Sequence, residues 1–178
     1  MSKDKRRGLI IVNTGNGKGK TTAALGTAFR AAGQGFNIMI IQFIKGSWKY
    51  GELEAAKKFD NLTITPMGKG FIKLGAAEPE AADCRLAEET WSACEQAILS
   101  GDYDLVVCDE VNYALSYKLL PVQRVIETLQ KRPSYVHVIL TGRDAPPEIV
   151  ELADLVTEMR EIKHPYQTGI SAQRGIEF

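Results

Sequence analysis

The sequence has few cysteines and no excess of charge of either sign. Its three cysteines, Cys84, Cys94 and Cys108, are odd in number, and none lies in a C-x-x-C pair. This argues against a disulfide framework, so we expect reduced thiols in a cytoplasmic protein. The 22 Lys and Arg residues equal the 22 Asp and Glu residues, which argues against nucleic-acid binding through overall positive charge.

Long apolar runs are also missing. No segment approaches the ~20 apolar residues that a membrane-spanning helix needs. The basic residues near the start (Lys3, Lys5, Arg6 and Arg7) are not followed by the apolar stretch of a signal peptide, because Gly8 leads directly into a strand. We therefore expect no membrane association. The basic residues form either a solvated tail or an arm that closes over an anionic ligand.

What the sequence does contain is an alternation of strand and helix patterns over 178 residues, a length that suits one α/β domain. Apolar runs predict strands at 8–13, 37–43, 62–65, 104–109, 135–140 and 155–159. Helical spacing predicts helices at 20–32, 52–59, 79–99, 120–131 and 147–152. This alternation predicts a mostly parallel central sheet with helices on both faces.

The predicted elements are expected to form a single domain over residues 1–178. We expect 1–7 to be a flexible N-terminal arm and 163–178, which lacks periodicity, to be a C-terminal tail. Gly33 is expected to end the first helix. Trp91 and Cys94 recur at helical spacing and are expected to lie in the core.

A glycine-rich motif follows the first predicted strand. Its residues are Thr14, Gly15, Asn16, Gly17, Lys18, Gly19, Lys20, Thr21 and Thr22. Glycines let backbone N–H groups converge on an anion, and the helix N-terminus that follows adds partial positive charge. Lys20 can reach the β- and γ-phosphates of a nucleotide, and the Thr21 hydroxyl can ligate Mg²⁺ or Mn²⁺. Thr14 stands where the standard phosphate-loop pattern, GxxxxGK followed by Ser or Thr, has its first glycine.

An acidic pair, Asp109 and Glu110, ends the fourth predicted strand. This is the Walker B arrangement, which holds Mg²⁺ directly or through water. Because the pair follows a phosphate loop on an earlier strand, it predicts a nucleotide–Mg²⁺ site. Glu110 could ligate the metal or activate a water molecule, and spacing does not decide between these roles.

Polar residues follow two other predicted strands. Ligands of parallel α/β sheets bind at the carboxyl ends of the strands, so Gln42–Gly46 and Thr141–Arg143 are expected to share one crevice with the motif and the acidic pair. Within these segments Gln42, Lys45 and Arg143 are the candidates for contacts with the ligands.

Catalytic acids and bases are scarce apart from Glu110. His137 lies inside a strand pattern and is expected to pack or to face solvent, and His164 is expected to be exposed. Cys108 lies within the Walker B strand. We expect it to be a buried thiol, since the sequence places no histidine to activate it.

The segment 66–77 combines glycines with the apolar residues Phe71, Ile72 and Leu74 and shows no helical or strand periodicity. It could be a movable lid on a flat hydrophobic ligand, or it could pack into the core.

Together these segments resemble the P-loop-type cob(I)alamin (corrinoid) adenosyltransferases. The similarity covers residues 8–178 and lies in the glycine-rich motif, Gln42–Gly46, Val106–Glu110 with Asn112 and Tyr113, Thr141–Arg143, and the ending from Lys163 to Glu177. The resemblance implies a RecA-like P-loop fold, a homodimer and a flavoprotein as a possible reductant.

The resemblance also implies a reaction of adenosylcobalamin biosynthesis or salvage. Co(I) of a reduced corrinoid attacks the ribose 5′ carbon of ATP, and tripolyphosphate leaves. Because Co(I) is already a strong nucleophile, the protein must supply positioning and charge stabilisation rather than a base. By resemblance, the loop amides, Lys18, Lys20 and Mg²⁺ supply the charge. Thr21 and Glu110 hold the metal, with Asp109 nearby.

Two further features are implied by the resemblance. The nucleotide lies in the loop in an orientation reversed from that of ordinary P-loop ATPases, which suits Thr14. Aromatic residues beneath the corrin ring displace the lower axial ligand of cobalt, which makes Co(II) easier to reduce. Phe71 matches the first of these aromatics, whereas Lys73 stands where enterobacterial members usually have tryptophan.

Two other interpretations stay open at the level of the residues. One is a P-loop ATPase or kinase that uses Glu110 as its base. The other is a nucleotide-sensing regulator or corrinoid carrier that binds without turnover.

Overall fold

The computed structural model describes residues 6–46, 50–70 and 80–177, in which strands and helices alternate. The strands are β1 (Ile10–Thr14), β2 (Ile38–Gln42), β3 (Leu62–Pro66), β4 (Leu105–Asp109), β5 (His137–Thr141) and β6 (Leu155–Glu158). The helices are α1 (Lys20–Gly33), α2 (Gly51–Ala56), α3 (Ala81–Ser100), α4 (Val111–Ser116), α5 (Val122–Lys131) and α6 (Pro147–Leu152). A short 3₁₀ helix, Pro165–Thr168, follows β6.

The six strands form one sheet in the order β3-β2-β4-β5-β1-β6, and every neighbouring pair is parallel. The predicted α/β fold with a parallel central sheet is therefore confirmed. Strand β5 lies between β1, which enters the glycine-rich motif, and β4, which ends in the acidic pair. This arrangement agrees with the predicted RecA-like P-loop fold.

Side chains of the central strands alternate between two apolar layers. In β4, Val106 and Cys108 pack with Trp91 and other side chains of α3, α5 and α6. Leu105 and Val107 pack on the opposite face, against the alanines of α1. Because both faces are buried, the central strands read as continuous apolar runs. In the described ranges, no helix has the length and apolar character needed to cross a membrane.

Trp91, Cys94 and Cys108 are fully buried in the larger apolar layer. The prediction that these three side chains belong to the core is confirmed. The three cysteines are free thiols.

The end of α1 corrects the prediction for Gly33. The helix includes Gly33, and the left-handed residue that ends it is Gly35, with φ of 76°. The amides of Gly35 and Phe36 donate to the carbonyl oxygens of Ala32 and Ala31, at 2.9 and 3.1 Å. These two bonds form a Schellman motif, which requires the positive φ two residues later than the sequence pattern suggested.

Helix α4 was not predicted from the sequence. It spans only six residues and begins directly after Glu110, which adopts a left-handed conformation with φ of 63°. Six residues show little helical periodicity, and α4 lacks the proline that marks the start of the equally short α6.

The described chain begins at the sheet edge where the strands start. The Arg6 guanidinium forms an ion pair with the buried Asp104 carboxylate and lies 4.3 Å from the centre of the Phe36 ring. Arg7 is paired with Asp154 at 2.8 Å. Asp104 precedes β4, whereas the acidic pair follows that strand, so these two arginines lie at the edge opposite the glycine-rich motif.

Both histidines have structural roles. The Nδ1 atom of His137 accepts the amide hydrogen of Leu9 at 3.1 Å, and its ring stacks on Phe36. Burial, aided by the charges of Arg6 and Arg132, lowers the pKa of His137, which keeps Nδ1 available as an acceptor. His164 is partly buried rather than exposed.

Candidate nucleotide site

A row of four buried polar side chains crosses the carboxyl edge of the sheet. Asn13 of β1 pairs with Thr141 of β5, and Gln42 of β2 pairs with Asp109 of β4. Because Cys108 pairs with Leu140, the residues that follow them, Asp109 and Thr141, are also neighbours. We call Asn13, Thr141, Asp109 and Gln42 the polar row; each side chain is at most 6% exposed.

The Asp109 carboxylate is the centre of this row. Its Oδ1 atom accepts hydrogen bonds from the hydroxyls of Thr21 at 2.8 Å and Thr141 at 2.7 Å. Its Oδ2 atom accepts a hydrogen bond from Gln42 Nε2 at 3.1 Å. The glycine-rich motif, β2, β4 and β5 therefore meet at one carboxylate, which confirms that the predicted segments share one edge of the sheet.

The side chain of Lys20 reaches into the glycine-rich loop (residues 15–19). Its ammonium donates to the carbonyl oxygens of Gly15 and Gly17, both at 2.8 Å. Burial lowers the pKa of Lys20, an effect that the nearby Glu110 carboxylate opposes and Arg143 reinforces. The loop therefore holds a poorly hydrated cation, for which an anionic ligand is the natural partner.

The glycine-rich loop packs against the chain that follows β6. The Gly17 amide donates to the Met159 carbonyl oxygen at 2.6 Å, and the Met159 amide donates to the Thr14 carbonyl oxygen at 2.8 Å. A Cβ atom on Gly17 would lie 2.7 Å from the carbonyl carbon of Arg160. Gly17 is therefore needed for the close approach of two backbone segments.

Thr14 also has a structural task. Its hydroxyl accepts the amide hydrogen of Ala145 at 3.2 Å, which ties the end of β1 to the turn after β5. A glycine at this position would lack that acceptor. Thr14, which replaces the glycine of the standard motif, thus holds the turn that carries Arg143 against the end of β1.

Glu110 is mostly buried beside this centre. Burial, and then the charge of Asp109, raise the pKa of the Glu110 carboxyl, although Lys20 and Arg143 partly offset this effect. Within the described ranges its carboxylate makes no hydrogen bond or ion pair, whereas its backbone amide donates to Thr141 Oγ1 at 2.8 Å. The carboxylate is thus free to bind a cation.

The donor set fits Mg²⁺ bound together with a nucleotide. Because the Thr21 hydroxyl directs its hydrogen to Asp109, its lone pairs stay available for a metal ion. The described residues contain no group of three or more His, Cys, Asp or Glu side chains arranged to hold a metal. Mg²⁺ commonly uses one or two protein ligands and completes its shell with phosphates and water, so this composition suits it.

Five other predicted site residues among those described make no hydrogen bond to the Asp109 carboxylate in the structure. Lys18 forms an ion pair with Glu177 of the C-terminal tail and is half exposed. Lys45 forms an ion pair with Glu52, and its ammonium lies 4.8 Å from the centre of the Tyr50 ring. Asn16, Thr22 and Arg143 are exposed.

The start of segment 66–77, one interpretation of which is a movable lid, lies against the chain that follows β2. The Gly68 and Gly70 amides donate to the carbonyl oxygens of Lys45 and Ile44, at 3.1 and 2.9 Å. A cavity of about 90 Å³ lies beside them, lined by Phe43, Ile44, Lys69, Gly70, Asp83, Leu86, Ala87, Tyr113, Ala114 and Leu119. Phe71, Ile72, Lys73 and Leu74 lie outside the described residues.

Sequence reasoning missed two parts of the site. Thr141 was noted only as part of a segment, although a polar residue that ends a strand beside the Walker B strand is a usable signal. The pairing of Glu177 with Lys18 brings the tail to the glycine-rich loop. No pattern in the sequence indicates this long-range contact.

The topology and the loop define an α/β protein of the RecA-like P-loop class. A family model described as ATP:corrinoid adenosyltransferase BtuR/CobO/CobP matches residues 6–178. The chain therefore belongs to the ATP:corrinoid adenosyltransferase family, which confirms the predicted resemblance and the enzyme class.

Curated relatives agree with this assignment. A protein of Sinorhizobium sp named corrinoid adenosyltransferase is 42% identical over 180 residues, which cover 99% of this chain and 83% of the relative. The corrinoid adenosyltransferase of Escherichia coli K12 is 42% identical over 97% of this chain and 86% of its own length. The corrinoid adenosyltransferase CobA of Salmonella typhimurium is 41% identical over 98% and 87%, respectively.

A methyl group on Gly17 tests the packing of the glycine-rich loop. We expect Gly17→Ala to lower the free energy of unfolding by about 1–3 kcal/mol, because it overpacks the contact with Arg160, and to weaken ATP binding. The matched control is Gly26→Ala on an open face of α1, which is expected to raise stability by about 0.5–1 kcal/mol. Urea unfolding and ATP titration measure both effects. Equal stability of the two variants would contradict this account.

Proposed function

We propose that this chain transfers the 5′-deoxyadenosyl group of ATP to the cobalt of a reduced corrinoid, cob(I)alamin or a cobinamide precursor. The Co(I) electron pair forms the cobalt–carbon bond. The bond between C5′ and its oxygen breaks, and its electrons leave with tripolyphosphate. The observation that carries the proposal is the convergence of Lys20, Thr21 and Glu110 on one edge of the sheet, in a chain of this family.

The scarcity of acid–base groups supports this chemistry. Among the described residues, His137 begins β5 at the opposite edge of the sheet, and His164 accepts the Tyr166 amide hydrogen in the tail. The Cys108 thiol is buried in the core. A nucleophile as strong as Co(I) needs none of these groups, whereas a phosphoryl-transfer enzyme needs a positioned acceptor.

Stabilisation of the departing triphosphate is the main task that we assign to the protein. The Lys20 ammonium donates to two loop carbonyl oxygens and can turn to phosphate oxygens without leaving the loop. Its burial strengthens attraction to an anion, because the local dielectric constant is lower than that of water. Lys18 can add charge once it separates from Glu177.

We further propose that Thr21 and Glu110 hold Mg²⁺ and that Asp109 orients Thr21. When bound, Mg²⁺ neutralises part of the negative charge that develops on the leaving triphosphate. The Asp109 oxygens already accept three hydrogen bonds, whereas the Glu110 carboxylate makes none among the described residues. This difference supports Glu110 as the direct ligand.

The nucleotide is proposed to lie reversed in the loop, with its adenosyl end towards the corrinoid. Thr14 stands where the standard motif has glycine, and its hydroxyl accepts the amide hydrogen of Ala145; this departure from the standard motif supports the reversed orientation. Gln42 ends β2, Lys45 follows it, and Arg143 follows β5, so all three are proposed to contact the substrates from the carboxyl edge of the sheet.

Cytoplasmic location and a flavoprotein reductant complete the proposal. The free cysteines favour a reducing compartment. A flavoprotein can supply the single electron that converts Co(II) to Co(I).

The reaction products and Lys20 test the proposed function. Under anaerobic conditions, with ATP and chemically reduced corrinoid, we expect adenosylcorrinoid and tripolyphosphate. Lys20→Ala is expected to lower turnover by at least ~10²-fold, because it removes one preorganised charge. The control is Lys57→Ala, which removes an exposed lysine that pairs with Glu54 at the end of α2. ADP and phosphate as products would contradict the proposal, as would full turnover by the Lys20 variant.

Phe71 tests the proposed handling of the corrinoid. We expect Phe71→Ala to impair activity more with Co(II) corrinoid and a reduced flavoprotein than with pre-reduced Co(I), because the variant would no longer displace the lower ligand. Phe29→Ala, at an aromatic side chain that is 65% exposed, is the matched control. Equal losses in the two assays would mean that Phe71 only packs.

A homodimer is the proposed assembly. All four residues of the edge strand β6 are exposed. Large exposed apolar side chains among the described residues from β6 onwards include Leu155, Val156, Ile162, Tyr166, Ile170 and Ile176. Sedimentation equilibrium is expected to give twice the protomer mass, and Leu155→Lys is expected to shift the balance towards protomers. A single species of protomer mass at micromolar concentration would exclude the dimer.

A further inference from the structure

Thr141 connects the two residues of the acidic pair. It is the last residue of β5 and is fully buried between β1 and β4. Its hydroxyl donates to Asp109 Oδ1 at 2.7 Å and accepts the amide hydrogen of Glu110 at 2.8 Å. A hydroxyl has one hydrogen and two lone pairs, so a single side chain can serve both neighbours.

The second of these bonds holds an unusual backbone conformation. Glu110 has φ of 63° and ψ of 23°, a left-handed conformation that residues other than glycine adopt at a cost. This turn takes the chain from β4 directly into α4. Such a conformation persists only where surrounding contacts maintain it. The hydrogen bond from the Glu110 amide to Thr141 is one such contact.

The first bond affects the glycine-rich motif. Thr141 and Thr21 both donate to Oδ1 of Asp109, so this oxygen is held by one hydroxyl from β5 and one from α1. Loss of the Thr141 hydroxyl would leave the partly buried Glu110 amide without this acceptor. It would also leave Oδ1 held by Thr21 alone.

We propose that Thr141 is a positioning residue that sets the direction of the Glu110 carboxylate and of the Thr21 hydroxyl for binding Mg²⁺ with ATP. This inference rests on the proposed metal role of Thr21 and Glu110. It assigns to Thr141 no contact with the metal or the substrates. Groups that orient metal ligands typically change metal affinity by 10–100-fold when they are removed.

The test compares Thr141→Val with Thr141→Ser. Valine keeps the shape of threonine and removes the hydroxyl, whereas serine keeps the hydroxyl. Calorimetric titrations with ATP over a series of Mg²⁺ concentrations give the Mg²⁺ concentration for half-maximal binding. We expect the valine variant to raise this concentration by at least about tenfold, and the serine variant to stay within about threefold of the original protein. ATP binding in EDTA is expected to change little.

A control and a second variant keep the result decisive. Thr90→Val removes another buried hydroxyl, which donates to the Leu86 carbonyl oxygen in α3, and is expected to leave the Mg²⁺ dependence unchanged. If the valine variant does not fold, Thr141→Cys, with its weakly hydrogen-bonding thiol, is expected to give an intermediate shift. An unchanged Mg²⁺ dependence in the folded Val or Cys variant would overturn the inference, as would an equal shift in the Thr90 variant.

Because these titrations contain no corrinoid, they are independent of the adenosyl-transfer assay. If the unsubstituted protein releases ADP, the proposed function is refuted, whereas the result of the Mg²⁺ titrations still stands. Conversely, a normal Mg²⁺ dependence in the valine variant would refute the role of Thr141 and leave adenosyl transfer intact.

Discussion

Three hydrogen bonds to the Asp109 carboxylate hold the site together. They join Thr21 at the start of α1, Thr141 at the end of β5 and Gln42 at the end of β2 to the last residue of β4. A buried carboxylate is costly unless its oxygens are hydrogen-bonded, so each donor is needed for stability as well as for geometry. The parallel register places these side chains side by side, and the hydrogen bonds then fix their directions.

The site also holds two ionisable groups whose surroundings oppose their charged forms. Burial raises the pKa of Glu110 and lowers the pKa of Lys20, which means that both charged forms are disfavoured by their surroundings. A triphosphate would compensate Lys20, and a divalent cation would compensate Glu110. In the ligand-free protein these two groups therefore lower the free energy of unfolding, at the place where the proposed ligands bind. Such local destabilisation is common at functional sites.

Much of this could be predicted from the sequence, because the signals are local. The glycine-rich motif and the acidic pair each lie at the end of an apolar run, and parallel strands bring such ends together. The end of α1 at Gly35, the helix after Glu110 and the contact of Gly17 with Met159 could not be predicted in this way. The first depends on a choice between two glycines. The second is a helix of fewer than two turns, which shows little periodicity. The third joins residues far apart in the chain.

The central claim is that the glycine-rich loop holds the triphosphate as an intact leaving group, so that no bond between oxygen and phosphorus is broken. A single turnover with ATP that carries heavy oxygen between C5′ and the α-phosphorus tests this claim most directly. Cleavage between C5′ and oxygen predicts that mass spectrometry finds the entire label in tripolyphosphate and none in the adenosyl product. Label retained on the nucleoside would show cleavage between oxygen and phosphorus and would contradict the account.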